Sequence, residues 1–176
     1  SYNMAPEWDA VKRGILHLAD GLSGSWEAPL KVHLVPFPSR QDRLKKHTAI
    51  SPSVLSQALS GLRPLGACGG KDLDRAMDFA VRQVPWGKNN RRLIILIVNS
   101  PVAGARSAER LALSAAKKGI EVHVLSMGKQ GPDERNLLRQ VAVVGKGFYR
   151  EVAYRQKVFD LRGAATDLYM EGGRFF

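Results

Sequence analysis

Cysteine is nearly absent from this chain. Among its 176 residues Cys68 stands alone, which excludes an internal disulfide and any site built from several cysteines. A reducing compartment is compatible with that, though many exported domains also lack disulfides. Long apolar runs are missing too. The longest strongly apolar stretch is residues 93–98, far short of the roughly 20 residues that span a bilayer, so membrane insertion is not expected. The opening residues lack a basic segment followed by an apolar one, the pattern of a secretory leader. Polar low-complexity tracts are absent, which predicts a folded chain. Carboxylates are scarce beside cations. With 16 Asp plus Glu against 27 Lys plus Arg, the net charge is +11.

What is present suits one globular unit, read as a single domain over residues 1–176. Hydrophobic residues make up 44% of the chain, enough for one core without staples. The charge favours acidic partners: a protein, a nucleic acid or an anionic membrane surface. The densest basic clusters are Arg40, Arg43, Lys45 and Lys46, then Lys88, Arg91 and Arg92.

Strand and helix patterns alternate. Apolar residues at helical spacing predict a helix over residues 8–22, ended by Gly21 and Gly24. Residues 31–37 read as a strand, with another short strand at 48–50. Helices follow at 53–62, with Pro52 at the start, and at 72–84, with Asp72 as N-cap. The β-branched run at 91–99 is the clearest strand, of the kind covered on both faces. The pattern continues with a helix at 105–118, a strand at 121–127, a helix at 132–144, a strand at 148–152 and a final helix at 155–171. Such alternation implies an α/β fold, doubly wound, with a mostly parallel central sheet and helices on both faces.

Ligands of doubly wound sheets sit beyond the carboxyl ends of the strands. Three segments should gather there: Ser1-Tyr2-Asn3-Met4, Gly69-Gly70-Lys71-Asp72-Leu73, and Asn99-Ser100-Pro101 after the strongest strand. In their order and spacing they resemble the von Willebrand factor A domain. That family carries an Asp-x-Ser-x-Ser motif after a central strand, a Gly-Gly-Thr-Asp-Leu-like loop, and a strand ending in an Asp-Gly-like turn. Together these build a metal-ion-dependent adhesion site. The passage 115–124 and the segment 138–149 also resemble the family's later helices and strands, so the likeness covers almost the whole chain.

The departures concern the metal. The family's first strand and leading Asp would precede Ser1, so the resemblance implies a first central strand missing from this chain. Preceding residues or another chain would supply it, the former being the simpler source. Asn3 replaces the second serine, Lys71 the threonine, and Asn99 the closing aspartate. Magnesium wants an oxygen octahedron with some carboxylate charge. Asn99 offers a neutral carbonyl and Lys71 an ammonium. Two such charges, +1 and +2, repel by about 8 kcal/mol at about 4 Å in an effective dielectric near 20. The expectation is a degenerate, metal-free site at Ser1, Asn3, Lys71 and Asn99, with no cofactor unless that site still takes Mg²⁺. Ser1, Asn3, Lys71, Asn99 and Ser100 would then meet a protein partner, with Lys71 facing an acidic group. The resemblance implies non-enzymatic protein binding: adhesion, scaffolding or assembly, within a larger chain or complex.

Other signals are weaker. Residues 66–71 approach a phosphate-binding loop but fail in spacing, in the Asp72 that stands where Ser or Thr is needed, and in following a helix. His33 and His123 lie in strands that the family's order separates, so they read as structural. His17 and His47 read as surface residues, and Cys68 as a quiet loop thiol. Trp8, Trp26 and Trp86 are too scattered for a stacking platform. No catalytic constellation is visible. The alternative function is nucleic-acid binding through Arg40, Arg43, Lys45, Lys46, Lys88, Arg91 and Arg92.

Overall fold

The run Arg92-Leu-Ile-Ile-Leu-Ile-Val98 forms a strand at one side of a three-stranded parallel sheet. It belongs to a computed structural model that describes residues 5–25, 31–36, 47–49, 51–62, 71–87, 91–98, 106–127, 131–152, 154–159, 161–171 and 174–175. In chain order these form α1 (Ala5–Ser25), β1 (Val32–Leu34), β2 (His47–Ala49), α2 (Pro52–Gly61), α3 (Lys71–Arg82), β3 (Arg92–Val98), α4 (Arg106–Lys117), β4 (Ile120–Ser126), α5 (Pro132–Val144), β5 (Lys146–Glu151), β6 (Tyr154–Phe159), β7 (Ala165–Glu171) and β8 (Arg174–Phe175).

Strand β3 pairs in parallel with β4, from Arg92↔Ile120 to Val98↔Ser126, and β4 pairs in parallel with β5. Alternation then sorts the side chains. Ile94, Leu96 and Val98 point to one face with Ile120, Val122 and Val124. There they meet Leu73, Met77 and Val81 of α3, the alanines 108, 112 and 115 of α4, and Leu138, Val141 and Ala142 of α5. Ile97 points to the other face, where Val11 of α1 packs with Met127 and Val152. Helices therefore cover both faces, as expected of the fold class.

α1 also joins the second sheet to the first. Ala19 packs with Leu55 and Leu59 of α2 against Val32 and Leu34 of β1, and Ile15 touches both groups. The Trp8 indole N–H donates to the carbonyl of Leu62, 3.1 Å away, which ties the start of α1 to the end of α2. β1 and β2 form an antiparallel pair. Among the described residues no ladder joins that pair to β3–β4–β5.

The helix ends follow local chemistry. The Ser51 hydroxyl accepts from the Val54 amide at the start of α2, with Pro52 in the first turn. Asp133 and Glu134 sit in the first turn of α5, where the helix dipole favours them. Gly119, at φ 71°, closes the turn after α4. Three expectations are corrected. α1 runs through Gly21 and Gly24 to Ser25, because a helical glycine costs only about 1 kcal/mol and the packed stripe of Val11, Ile15 and Ala19 outweighs it. α3 begins at Lys71, so Asp72 lies inside its first turn instead of capping it. The segment 155–171 is not a helix. It is an antiparallel hairpin of β6 and β7, with Gly163 at φ 81° in the turn, and β8 adds to it.

β4 and β5 meet through a bulge. Val122 opposes Lys146, yet Val124 opposes Tyr149, so β5 carries one extra residue. The Phe148 amide leaves the ladder and donates to Nδ1 of His123, 3.3 Å away, and the two rings meet at a tilt of 51° with centroids 4.4 Å apart. Lys146 adopts φ 58°, a left-handed conformation that costs a residue with a Cβ about 1 kcal/mol. Gly147 is required by space: a Cβ there would lie 2.1 Å from the Val122 carbonyl oxygen. Gly147→Ala should therefore lower stability by about 3 kcal/mol, a fall in Tm of about 10 °C for a chain of this size. Gly14→Ala, where a Cβ meets nothing within 4 Å, should raise Tm slightly. Thermal melts of the two variants check the pair; an unchanged Gly147→Ala melt would remove the bulge as a constraint.

Candidate functional site

The sheet has two ends, and the helices fix which residues reach each. The Lys118 ammonium donates to the Val81 carbonyl at 3.3 Å, which pins the last turn of α3 beside the turn that enters β4. α3 has 12 residues and so runs about 18 Å. Its first residue, Lys71, accordingly stands at the other end, beyond the carboxyl ends of the strands. That is the edge expected from the sequence. Of the residues expected there, Ser1, Asn3, Asn99 and Ser100 lie outside the described residues, as does Cys68. Lys71 enters as the opening residue of α3.

This carboxyl edge is firmly built. Ladder bonds run past the strand ends: the Met127 amide donates to Val98 at 2.7 Å and the Val152 amide to Ser126 at 2.8 Å. Asp74, in the first turn of α3, has one carboxylate oxygen buried without a hydrogen-bond partner. Farther along, the Tyr149 hydroxyl donates to Glu151 at 3.2 Å, Arg135 of α5 forms an ion pair with the same carboxylate at 3.2 Å, and Arg139 lies 5.3 Å above the Tyr149 ring. Burial pushes the Tyr149 phenol above its usual 10, while the nearby Ser126 hydroxyl pulls the other way. The phenol therefore stays protonated and remains a donor.

Sequence reasoning missed Ser126, Tyr149, Glu151 and Arg135. The available signal was that Ser126 and Glu151 end neighbouring strands while Arg135 opens the helix between them. The arrangement fastens α5 to the sheet edge. It offers neither a nucleophile–base pair nor an open carboxylate pair. Among the described residues no group of three or more His, Cys, Asp and Glu is placed to hold a metal ion.

The opposite edge holds Arg91 and Arg92, while Arg40, Arg43, Lys45, Lys46 and Lys88 lie outside the described residues. Arg91 grips Glu121 with two hydrogen bonds of 3.2 and 3.1 Å, and Nε2 of His123 lies 3.3 Å from the same carboxylate. His123 is thus a satisfied strand histidine. His33 faces Thr48 at 3.0 Å in the other sheet. No helix among the described residues is long and apolar enough to cross a membrane.

A parallel sheet clothed by helices, with α3 opening at the carboxyl edge, defines a Rossmann-like α/β domain of the open-sheet type. Residues 3–151 match the sequence profile of the von Willebrand factor type A domain, and the chain belongs to that family. Its fold is similar to that of protein BatB from Bacteroides thetaiotaomicron, with TM-score 0.63 and 22% identity over 81% of this chain and 78% of that one. An aerotolerance-related membrane protein from Bacteroides fragilis gives TM-score 0.61 and 20% identity over 82% and 80%. Proximal thread matrix protein 1 of the mussel byssus, solved with zinc in its adhesion motif, gives 0.63 and 16% over 82% of this chain and 36% of that one. No curated protein matches the chain. Domains of this family generally engage other proteins.

The Arg91 guanidinium beside Glu121 holds that carboxyl below its ordinary 4.5, against an opposing push from burial. A depressed carboxylate stabilises the fold fully above its unfolded value, and that contribution is lost as pH falls through the folded value. Melts should therefore decline below about pH 4.5, partly through this pair. Arg91→Gln should make the acid-side decline shallower. Parallel Tm-against-pH curves for the two proteins would show that the pair contributes nothing.

Proposed function

We propose that the domain binds another protein through its carboxyl edge, without catalysis and without a metal. Membership of the family supports the binding role. The observation that carries the metal-free part is Lys71, which opens α3 where the family places a threonine ligand. An ammonium supplies no lone pair to a cation, and it repels one. Asn3 and Asn99 supply neutral amides, and Ser1 is the only ligand position retained in kind. These positions of the chain bring no carboxylate charge of the kind a hard divalent ion favours. The zinc-occupied motif of the mussel protein is thus a feature this chain is not expected to share.

With the metal gone, the partner no longer needs to complete a coordination sphere. Lys71 can take a partner carboxylate directly, by a charge-assisted hydrogen bond. Ser1, Asn3, Asn99 and Ser100 are the neighbouring polar groups of that surface. Residues 1–176 form one domain in this reading, which the seating of β6 against α1 supports.

Calorimetric titration of Mg²⁺ and Mn²⁺ into chelator-treated protein should give no heat and no shift in melting temperature. Clear binding would restore a metal-dependent adhesion mechanism. An oligoglutamate peptide should bind, and Lys71→Ala should weaken it about tenfold, the value of one charge-assisted bond. Unchanged peptide affinity would remove Lys71 from the contact.

A further inference from the structure

The amino end of the parallel sheet gathers cations from β3, α4, the turn into β4, and β5. Arg92 opens β3, Lys117 ends α4, Lys118 lies in the turn to β4, and Lys146 opens β5. The registers Arg92↔Ile120 and Val122↔Lys146 place them along one edge. The Lys118 bond to Val81 brings the end of α3, with Arg82, to the same edge. Arg82 and Arg91 have carboxylates beside them, Asp78 at 2.8 Å and Glu121 at 3.1 Å. Arg92, Lys117, Lys118 and Lys146 have no acidic partner among the described residues, and Lys117, Lys118 and Lys146 are exposed.

The helix dipoles account for part of this charge. The carboxyl ends of α3, α4 and α5 point at this edge, and each carries about half a negative charge. That offsets about one and a half of the four cations and leaves an excess of more than two. Two details go beyond compensation. Arg92 keeps Nε buried with no partner, while its Nη2 lies over Gly119, 3.0 Å from where a Cβ would stand. Lys146 holds a charged side chain at a left-handed position that glycine would occupy without strain. Strain retained at an exposed charged residue points to use of that charge.

The shape selects the class of polyanion. The turn into β4 is Lys118-Gly119, and the turn into β5 is Gly145 alone. Neighbouring strands lie about 4.8 Å apart, so the described cations are closely spaced along a short edge made of tight turns. No helix or ribbon projects from these turns to enter a nucleic-acid groove. The Trp86 indole is turned inward, donating to Ala80 at 2.8 Å, and the half-exposed Phe148 ring leans at a tilt on His123. Among the described residues one inward indole and one half-exposed ring do not make the run of aromatic faces on which successive single-stranded bases stack. Closely spaced cations on short turns can meet a plane of phosphate headgroups without entering a groove.

We propose that this edge docks the domain on an anionic lipid bilayer, as a peripheral electrostatic contact without insertion. The test is co-sedimentation with vesicles of phosphatidylcholine containing phosphatidylserine, against vesicles of phosphatidylcholine alone. Binding should require the anionic lipid and fall as salt rises. Lys117→Gln with Lys146→Gly removes two edge cations and relieves the left-handed strain, so the variant should melt no lower than the parent. It should bind vesicles about 25-fold more weakly, about fivefold per cation lost. Arg13→Gln with Arg110→Gln removes the same charge from exposed helix positions elsewhere and should change binding less than twofold. Equal weakening by both double variants would overturn the proposal in favour of diffuse attraction. Displacement from vesicles by duplex DNA at equal phosphate concentration would overturn it in favour of a nucleic-acid surface.

Discussion

The seven-residue parallel register between β3 and β4 constrains everything else in this domain. Each strand alternates its side chains across the sheet, so one offset decides both cores. In the observed register Ile94, Leu96 and Val98 join Ile120, Val122 and Val124 under the layer of α3, α4 and α5. A slip of one residue would turn those side chains toward α1 and bring Glu121 and His123 under the alanines of α4. The same register sets the two ends of the sheet. Ser126 stands level with Val98 at the carboxyl edge, and Arg92 stands level with Ile120 at the other. The two charged regions of the molecule are therefore consequences of one ladder.

The second ladder is less regular, and its irregularity is used. One extra residue in β5 shifts the pairing between Val122 and Val124. The amide freed by the shift is taken up by His123, whose ring then packs on Phe148. Burying that amide without a partner would cost about 1–3 kcal/mol, more than the left-handed strain at Lys146. Gly147 removes the remaining conflict by letting the chain pass the Val122 carbonyl at a distance no side chain permits. Beyond the bulge the offset brings Tyr149 and Glu151 to face Arg135 and Arg139 of α5. The anchoring of the last helix thus depends on a local defect in the sheet.

Much of this was legible in the sequence, for identifiable reasons. The continuous run of β3 could only be a strand covered on both faces. Pro132 and the acidic first turn marked the start of α5, and Gly119 marked the end of α4. The segment after Val152 misled because its few apolar residues fit either period. Tyr154, Val158 and Leu161 fall at helical spacing, yet Gly163 turns the chain and the flanking residues pair as β6 and β7. Gly21 misled in the opposite sense, since packing of its helix outweighed a weak local preference. Lys71 could be found because motif order survives without the structure. The cluster of Ser126, Tyr149, Glu151 and Arg135 was legible only in part: the strand and helix ends could be read, but the meeting of Tyr149 and Glu151 with Arg135 depends on the bulged register.

The polarity of the layer gives the two edges unlike electrostatic tasks. Every helix of the layer runs antiparallel to the strands, so positive helix ends collect at the carboxyl edge and negative ends at the amino edge. A sequence that merely balanced its dipoles would place carboxylates at the first edge and cations at the second. Part of this chain does so: Asp72 and Asp74 follow the start of α3, and Lys117 ends α4. Lys71 breaks the pattern, because it adds a cation at a helix end that is already positive, at a cost of about 0.3–1 kcal/mol. A carboxylate brought by a partner would remove that cost and gain from the helix end as well. The amino edge departs in the other direction, carrying more cations than its helix ends can offset. In the readings proposed above, a negatively charged partner is the physical condition under which Lys71 and the amino-edge excess become stabilising.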